Sequence, residues 1–193
     1  LCDLLSVITQ SPVQFYAMDD DARDEQMRVN RRPTSVDRIL GKDEWSWITG
    51  SLVFLRREHP RFLAAASSYR NGLLDNDPVD RFCCFWRVIE RLALSYANRS
   101  SWSQEDKEKS APRKCVCQLI TDLFDEEPPP SVLADPEPLR AIVQLRNDLS
   151  HGNIPITVEV VETAHGYSRP LESAAFSVLH RVKNKYLVDD RLT

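Results

Sequence analysis

The stretch DPVDRFCCFWRVIERLA, residues 77–93, decides the fold class of this chain. Asp77 followed by Pro78 is a typical helix start, because the Asp side chain caps free backbone N–H groups and Pro is tolerated in the first turn. From Val79 onward, the apolar residues recur at the three- and four-residue spacing of a helix. The sequence therefore predicts a long, buried helix that ends near Asn98.

Helical patterns also dominate on both sides of this stretch. Further helices are predicted over about 43–59, 61–74, 114–124, 137–150 and 171–187. The β-branched residues of 156–161 predict a short strand or an extended connector. Several helices with short links give an all-α fold, an antiparallel helical bundle with one short extended segment near 156–161.

The first 40 residues differ from the rest in composition. They contain the run Asp19 to Asp21 and have no sustained periodicity, which predicts a polar N-terminal arm or linker over 1–40 and a helical domain over 41–193. Because the chain begins with Leu1, we expect this arm to be the remainder of an upstream domain.

Charge and cysteine content restrict the function classes. The net charge of −4 argues against a broad, sequence-independent grip on nucleic acid, but it allows a local cationic site. Five cysteines, an odd number, do not fit a disulfide framework, so we expect reduced thiols and a cytoplasmic location. The pair Cys115 and Cys117 could be half of a zinc site, but no second half is evident, and no metal is predicted.

Two charged residues lie on faces that should be buried. Glu90 falls within the apolar arc of the 77–98 helix, and Arg146 falls within that of the 137–150 helix. An unpaired buried charge costs several kcal/mol, so we expect Glu90 and Arg146 to meet across a helix interface. Such a pair could support a functional site or could be a structural ion pair that fixes helix register.

The second of these helices ends in a segment that combines a cation with an imidazole. Arg146 could hold a phosphate, and His151, next to Gly152 at the helix end, could transfer a proton. Asn147 and Ser150 lie one turn from His151 and Arg146, respectively. These groups are the minimum parts for cleaving RNA without a metal, although an Arg and a His at a helix end, with Gly152 as a plain cap, are also common without any such function.

The segment RNDLSHG, residues 146–152, resembles the R-x4-H motif of HEPN domains. The region from Tyr69 to Glu90 also resembles the Apea-like HEPN branch, in which Asp-Pro opens an aromatic helix that ends in Val-Ile-Glu. The resemblance covers about 60–190 and implies a HEPN-type bundle. It further implies a homodimer, a composite site in which Arg146, Asn147 and His151 cut RNA, and a role in defence, as a toxin or in RNA processing.

Taken together, these features favour a metal-independent endoribonuclease with Glu90 and Ser150 as supporting residues, RNA as substrate and a sensor domain upstream. The alternative is a non-catalytic helical module of the same type that serves dimerisation or partner docking. A module that binds a nucleotide signal is a third hypothesis. With only five glycines and no phosphate-binding loop, no cofactor is predicted, and no apolar run suggests a membrane span.

Overall fold

The computed structural model describes residues 1–13, 40–105 and 112–187. Its helices are α1 (Cys2–Thr9), α2 (Lys42–Glu58), α3 (Pro60–Leu74), α4 (Pro78–Tyr96), α5 (Pro112–Leu123), α6 (Ser131–Ala134), α7 (Pro136–His151) and α8 (Val158–Tyr186). The described ranges contain no strand, which confirms the predicted all-α bundle. None of the helices within these ranges has both the length and the apolar character that crossing a membrane requires.

Helix α4 is the centre of the bundle and packs against α3, α5 and α8. It begins where the sequence predicts, since the Asp77 carboxylate accepts hydrogen bonds from the backbone N–H groups of Val79 (2.8 Å) and Asp80 (3.1 Å). Its large apolar side chains, including Phe82, Phe85 and Trp86, are almost completely buried. The cap and the buried face together fix both the start and the orientation of α4.

Helix α8 is longer than the sequence predicts. The prediction started it at Leu171, because Pro170 lacks the backbone N–H that a helix interior requires. In the structure, α8 begins at Val158 behind the capping side chain of Thr157 and continues through Pro170 for 29 residues. The expected strand or connector over 156–161 is therefore wrong from Val158 onward. Buried Ser168 binds the Pro78 carbonyl oxygen at 3.3 Å, so packing against α4 supports the added turns.

The N-terminal arm predicted for 1–40 also needs a correction. Cys2–Thr9 forms α1, which packs on α3 with Leu4 only 1% exposed. The Arg70 guanidinium of α3 donates to the Val13 carbonyl oxygen and fastens the segment that follows α1. Residues 14–39 lie outside the described part of the chain, so for them the arm stays a prediction.

Helix α7, by contrast, is lightly packed. Only Leu139 and Ile142 are buried, and the helix ends at Gly152, whose φ of 65° is the left-handed conformation that favours glycine. The segment after it leaves Ile156 and Val158 exposed, each at 68%. A helix with this little burial depends on specific contacts to hold its position.

Candidate functional site

The predicted contact between Glu90 and Arg146 is present. Glu90 lies on the buried face of α4 and is 8% exposed. The Arg146 Nη2 atom on α7 donates to Glu90 Oε2 at 2.7 Å, and the two side chains are 28% and 10% exposed, respectively. Because the carboxylate is so well buried, this charge-assisted bond is a main anchor of α7 on α4.

Asn147 joins this pair from the neighbouring position on α7. Its Oδ1 atom accepts a hydrogen bond of 3.0 Å from Arg146 Nη1. The guanidinium is thus held at both terminal nitrogens, by Glu90 and by Asn147. This arrangement orients Arg146 and neutralises much of its charge within the protein.

The structure does not bring Ser150 and His151 into this cluster. Both side chains are exposed, and no hydrogen bond or ion pair links either of them to Arg146 among the described residues. The helical rotation explains why, because residues five apart lie about 140° apart around the axis. Arg146 faces α4 while His151 faces outward, a separation that the spacing itself could have predicted.

Sequence reasoning missed a cleft of about 550 Å³ between the end of α3 and the start of α4. It is lined by Asp75, Asp80, Cys83, Cys84 and Arg87, among others. Burial raises the pKa of the Cys83 thiol to about 11, and burial also raises that of Cys84. Both thiols are therefore protonated at neutral pH and are weak nucleophiles.

A second groove, also of about 550 Å³, lies between α6, the start of α7 and the first half of α8. Its walls include Val132, Pro138, Tyr167 and Pro170, so it is largely apolar. The apolar spacing of α8 was read only from Leu171 onward, which is why the sequence did not indicate this groove.

The basic residues near the end of α8 have structural contacts. Arg181 Nη1 donates to the Leu123 carbonyl oxygen at 2.9 Å, and Lys185 donates to the Asp122 carbonyl oxygen. These carbonyls belong to the C-terminal end of α5, where cations offset the helix dipole. Within the described ranges, no group of three or more His, Cys, Asp or Glu residues is placed to hold a metal ion, and all five cysteines are free thiols.

Comparison with known proteins identifies one family. The family model described as methylamine utilization protein MauJ matches residues 65–179. No curated protein and no solved structure gives a significant match. The match corrects the HEPN interpretation: a family other than HEPN covers the region that contains both Glu90 and the 146–152 segment. The predicted ribonuclease function, with its defence or toxin context, is wrong for the same reason.

Proposed function

The chain belongs to the family of methylamine utilization protein MauJ, since the match spans more than half of its 193 residues. From this membership we propose that it is an accessory protein of methylamine utilization that acts by binding a protein partner. Membership of the family supports the role in methylamine utilization. The exposed apolar surface at the ends of α7 supports the binding of a protein partner. A separate experiment tests each of these two claims.

The uncovered surface beside α7 is the observation that carries the binding role. Ile156 and Val158 are each 68% exposed and adjoin the start of α8, whose first half also lines the apolar groove. Scattered exposed apolar residues are ordinary, but an exposed apolar pair at one end of α7 and an apolar groove at its other end together provide the apolar area that a protein-binding surface needs. The hydrogen bond from Arg146 to Glu90 holds α7 against α4 and thereby keeps this surface in a fixed position.

The candidate chemical groups favour binding over catalysis. Arg146 is bound by Glu90 and Asn147, whereas His151 lies on the outer side of α7. For catalysis, the group that transfers a proton and the cation that stabilises the developing negative charge have to reach the same reacting centre. We also propose a reducing, cytoplasmic location, which the five free thiols support.

Growth of a strain that lacks the gene tests the process. We expect slow growth with methylamine as the sole nitrogen source and normal growth with ammonium, and the wild-type gene should restore growth on methylamine. Normal growth of the deletion strain on methylamine would overturn the assignment to this process.

Complementation with surface variants tests the mode of action. The variant carrying Ile156→Glu and Val158→Glu should fail to restore growth on methylamine, because charges replace the exposed apolar pair. Val53→Glu is the matched control, since Val53 is 77% exposed on α2, a different helix. If the double variant complements as well as Val53→Glu does, the surface beside α7 is not the binding surface.

A further inference from the structure

The outward side of α7 carries an ordered stripe of polar residues. Positions three or four apart share one side of a helix, and on this side the stripe consists of Glu137, Arg140, Gln144, Asp148 and His151. Asp148 is half-buried and the other four are exposed. The stripe lies opposite the side that holds Arg146 against α4. Along it, Arg140 binds Glu137 and Gln144 donates to Asp148, each at 2.9 Å, so a second molecule would exchange these surface contacts for its own.

The order of charges along this stripe is complementary to the same stripe read in reverse. If two α7 helices lie antiparallel with Gln144 opposite Gln144, Arg140 of each copy faces Asp148 of the other. Glu137 then faces His151 of the second copy. A surface that complements its own reversed image is what a two-fold symmetric interface requires.

We propose that a second copy of this chain occupies this face, with the two α7 helices antiparallel and the two-fold axis beside Gln144. The charged pairs fix the register of the contact more than its strength, because exposed ion pairs contribute little on their own. Most of the binding free energy has to come from apolar burial nearby.

In the same register, the exposed apolar pair Ile156 and Val158 of one copy can occupy the apolar groove of the other. The groove lies at the N-terminal end of α7, lined by Val132 and Pro138, whereas Ile156 and Val158 follow its C-terminal end. Antiparallel pairing brings the C-terminal end of one α7 beside the N-terminal end of the other. Ile156 and Val158 of each copy therefore reach the groove of the second copy, and the contact closes on both sides of the axis.

This dimer differs from the one that the HEPN resemblance implied. Residues 137 and 151 are fourteen positions apart, so the two His151 side chains lie about 21 Å apart along the helices. They do not converge into a composite site. The inference rests on the proposed binding function and names its partner, but it is argued from the charges and burial of α7.

Cysteine cross-linking and size measurement test the register. In a Cys117→Ser background, which removes the exposed native thiol, Gln144→Cys should form a disulfide-linked dimer under mild oxidation. Thr49→Cys, at an exposed position on α2, is the matched control and should remain uncross-linked. Light scattering of the wild-type protein should give the mass of a dimer at micromolar concentration.

Charge reversal tests the pairing independently. Arg140→Glu and Asp148→Arg should each weaken dimerisation about tenfold, since each places like charges opposite one another. The variant carrying both changes should recover the wild-type dissociation constant, because the pair is restored in reverse. Circular dichroism shows whether each variant is folded.

Three results would overturn the inference. They are a monomeric wild type at all concentrations, equal cross-linking of Gln144→Cys and Thr49→Cys, and the absence of recovery in the folded double variant. The proposed function fails separately, in the growth assays. A monomer that supports growth on methylamine, while its Ile156→Glu, Val158→Glu form does not, would assign this surface to a different protein.

Discussion

Glu90 and Arg146 connect α4 to α7 through side chains that depend on each other. The Glu90 side chain is only 10% exposed, whereas that of Arg146 is 28% exposed and closer to water. Removing Arg146 leaves a buried carboxylate without a counter-charge, whereas removing Glu90 leaves a guanidinium that can move into water. The free energy of unfolding should therefore respond more strongly to the loss of the arginine.

We expect Arg146→Ala to lower the free energy of unfolding by about 2–3 kcal/mol and Glu90→Gln by about half as much. The variant with both changes should be more stable than the sum of the two losses predicts, because no charge is left stranded. Urea denaturation of the three variants measures this coupling. Strictly additive losses would mean that the bond between the two side chains contributes nothing.

His59 gives the fold a dependence on pH. Burial lowers its pKa below the ordinary value of 6.5, against an opposing effect of the Glu58 carboxylate. Its Nδ1 atom lies 2.9 Å from the Tyr96 hydroxyl, and its ring stacks on that side chain. The pKa of His180 is also lowered, by burial and then by Lys183 and Arg181.

A histidine with a lowered pKa in the folded state binds a proton more readily when unfolded. Its contribution to stability is therefore retained above pH 6.5 and lost as the pH falls from 6.5 towards the lowered pKa. In His59→Gln this part of the loss should disappear, so the free energy of unfolding should fall less steeply as the pH is lowered below 6.5. His165→Gln, at an exposed position, is the control. Equal slopes for the two variants would contradict the prediction.

At the scale of the element, two helical glycines have opposite surroundings. A Cβ atom at Gly72 in α3 would lie 2.7 Å from the ring of Phe85, which is completely buried on α4. A Cβ atom at Gly166 in α8 would meet nothing within 4 Å. The close approach of α3 and α4 thus requires glycine, whereas the position in α8 does not.

We expect Gly72→Ala to lower the free energy of unfolding by about 1–3 kcal/mol, since the added methyl overpacks the contact between α3 and α4. Gly166→Ala should raise it by about 0.5–1 kcal/mol, because alanine favours the helix and displaces no neighbour. Urea denaturation of the two variants side by side measures both effects. A gain of stability in Gly72→Ala would show that α3 and α4 are not packed this closely.

At the scale of the whole molecule, α1 determines how far the core extends. Leu4, Val7 and Ile8 are buried, and α1 contacts both α3 and α2. If α1 is part of the core, its packing contributes to the free energy of unfolding of the entire domain. If it were an arm, changes in it would leave the domain unaffected.

We expect Leu4→Ala to lower the free energy of unfolding by about 2–4 kcal/mol, because the residue is 1% exposed. Leu1→Ala, at a residue that is 52% exposed, is the control and should change it by less than about 0.5 kcal/mol. Both are measured by chemical denaturation followed by circular dichroism. Similar, small effects of the two changes would contradict the place of α1 in the core.

The sequence by itself predicted the features that depend on neighbouring residues. The start of α4 follows from Asp77 and Pro78, whose effects act within one helical turn. The contact of Glu90 with Arg146 was predicted because the rotation of a helix places each charge on a buried face, where it needs a counter-charge. The HEPN resemblance, which rested on residues 146–152 and on the region from Tyr69 to Glu90, did not identify the family, which was recognised over 65–179.

Only the tertiary structure decided what depends on residues far apart in the chain. Whether Cys2–Thr9 is an arm or a core helix depends on the apolar surface that α3 offers it. Whether α8 continues through Pro170 depends on the packing of Ala164 and Ser168 against the bundle, which outweighs the lost backbone bond. Caps and helical spacing depend on neighbouring residues, so the sequence determined them. The free energy of burial depends on residues that are distant in the chain, so only the tertiary structure decided it.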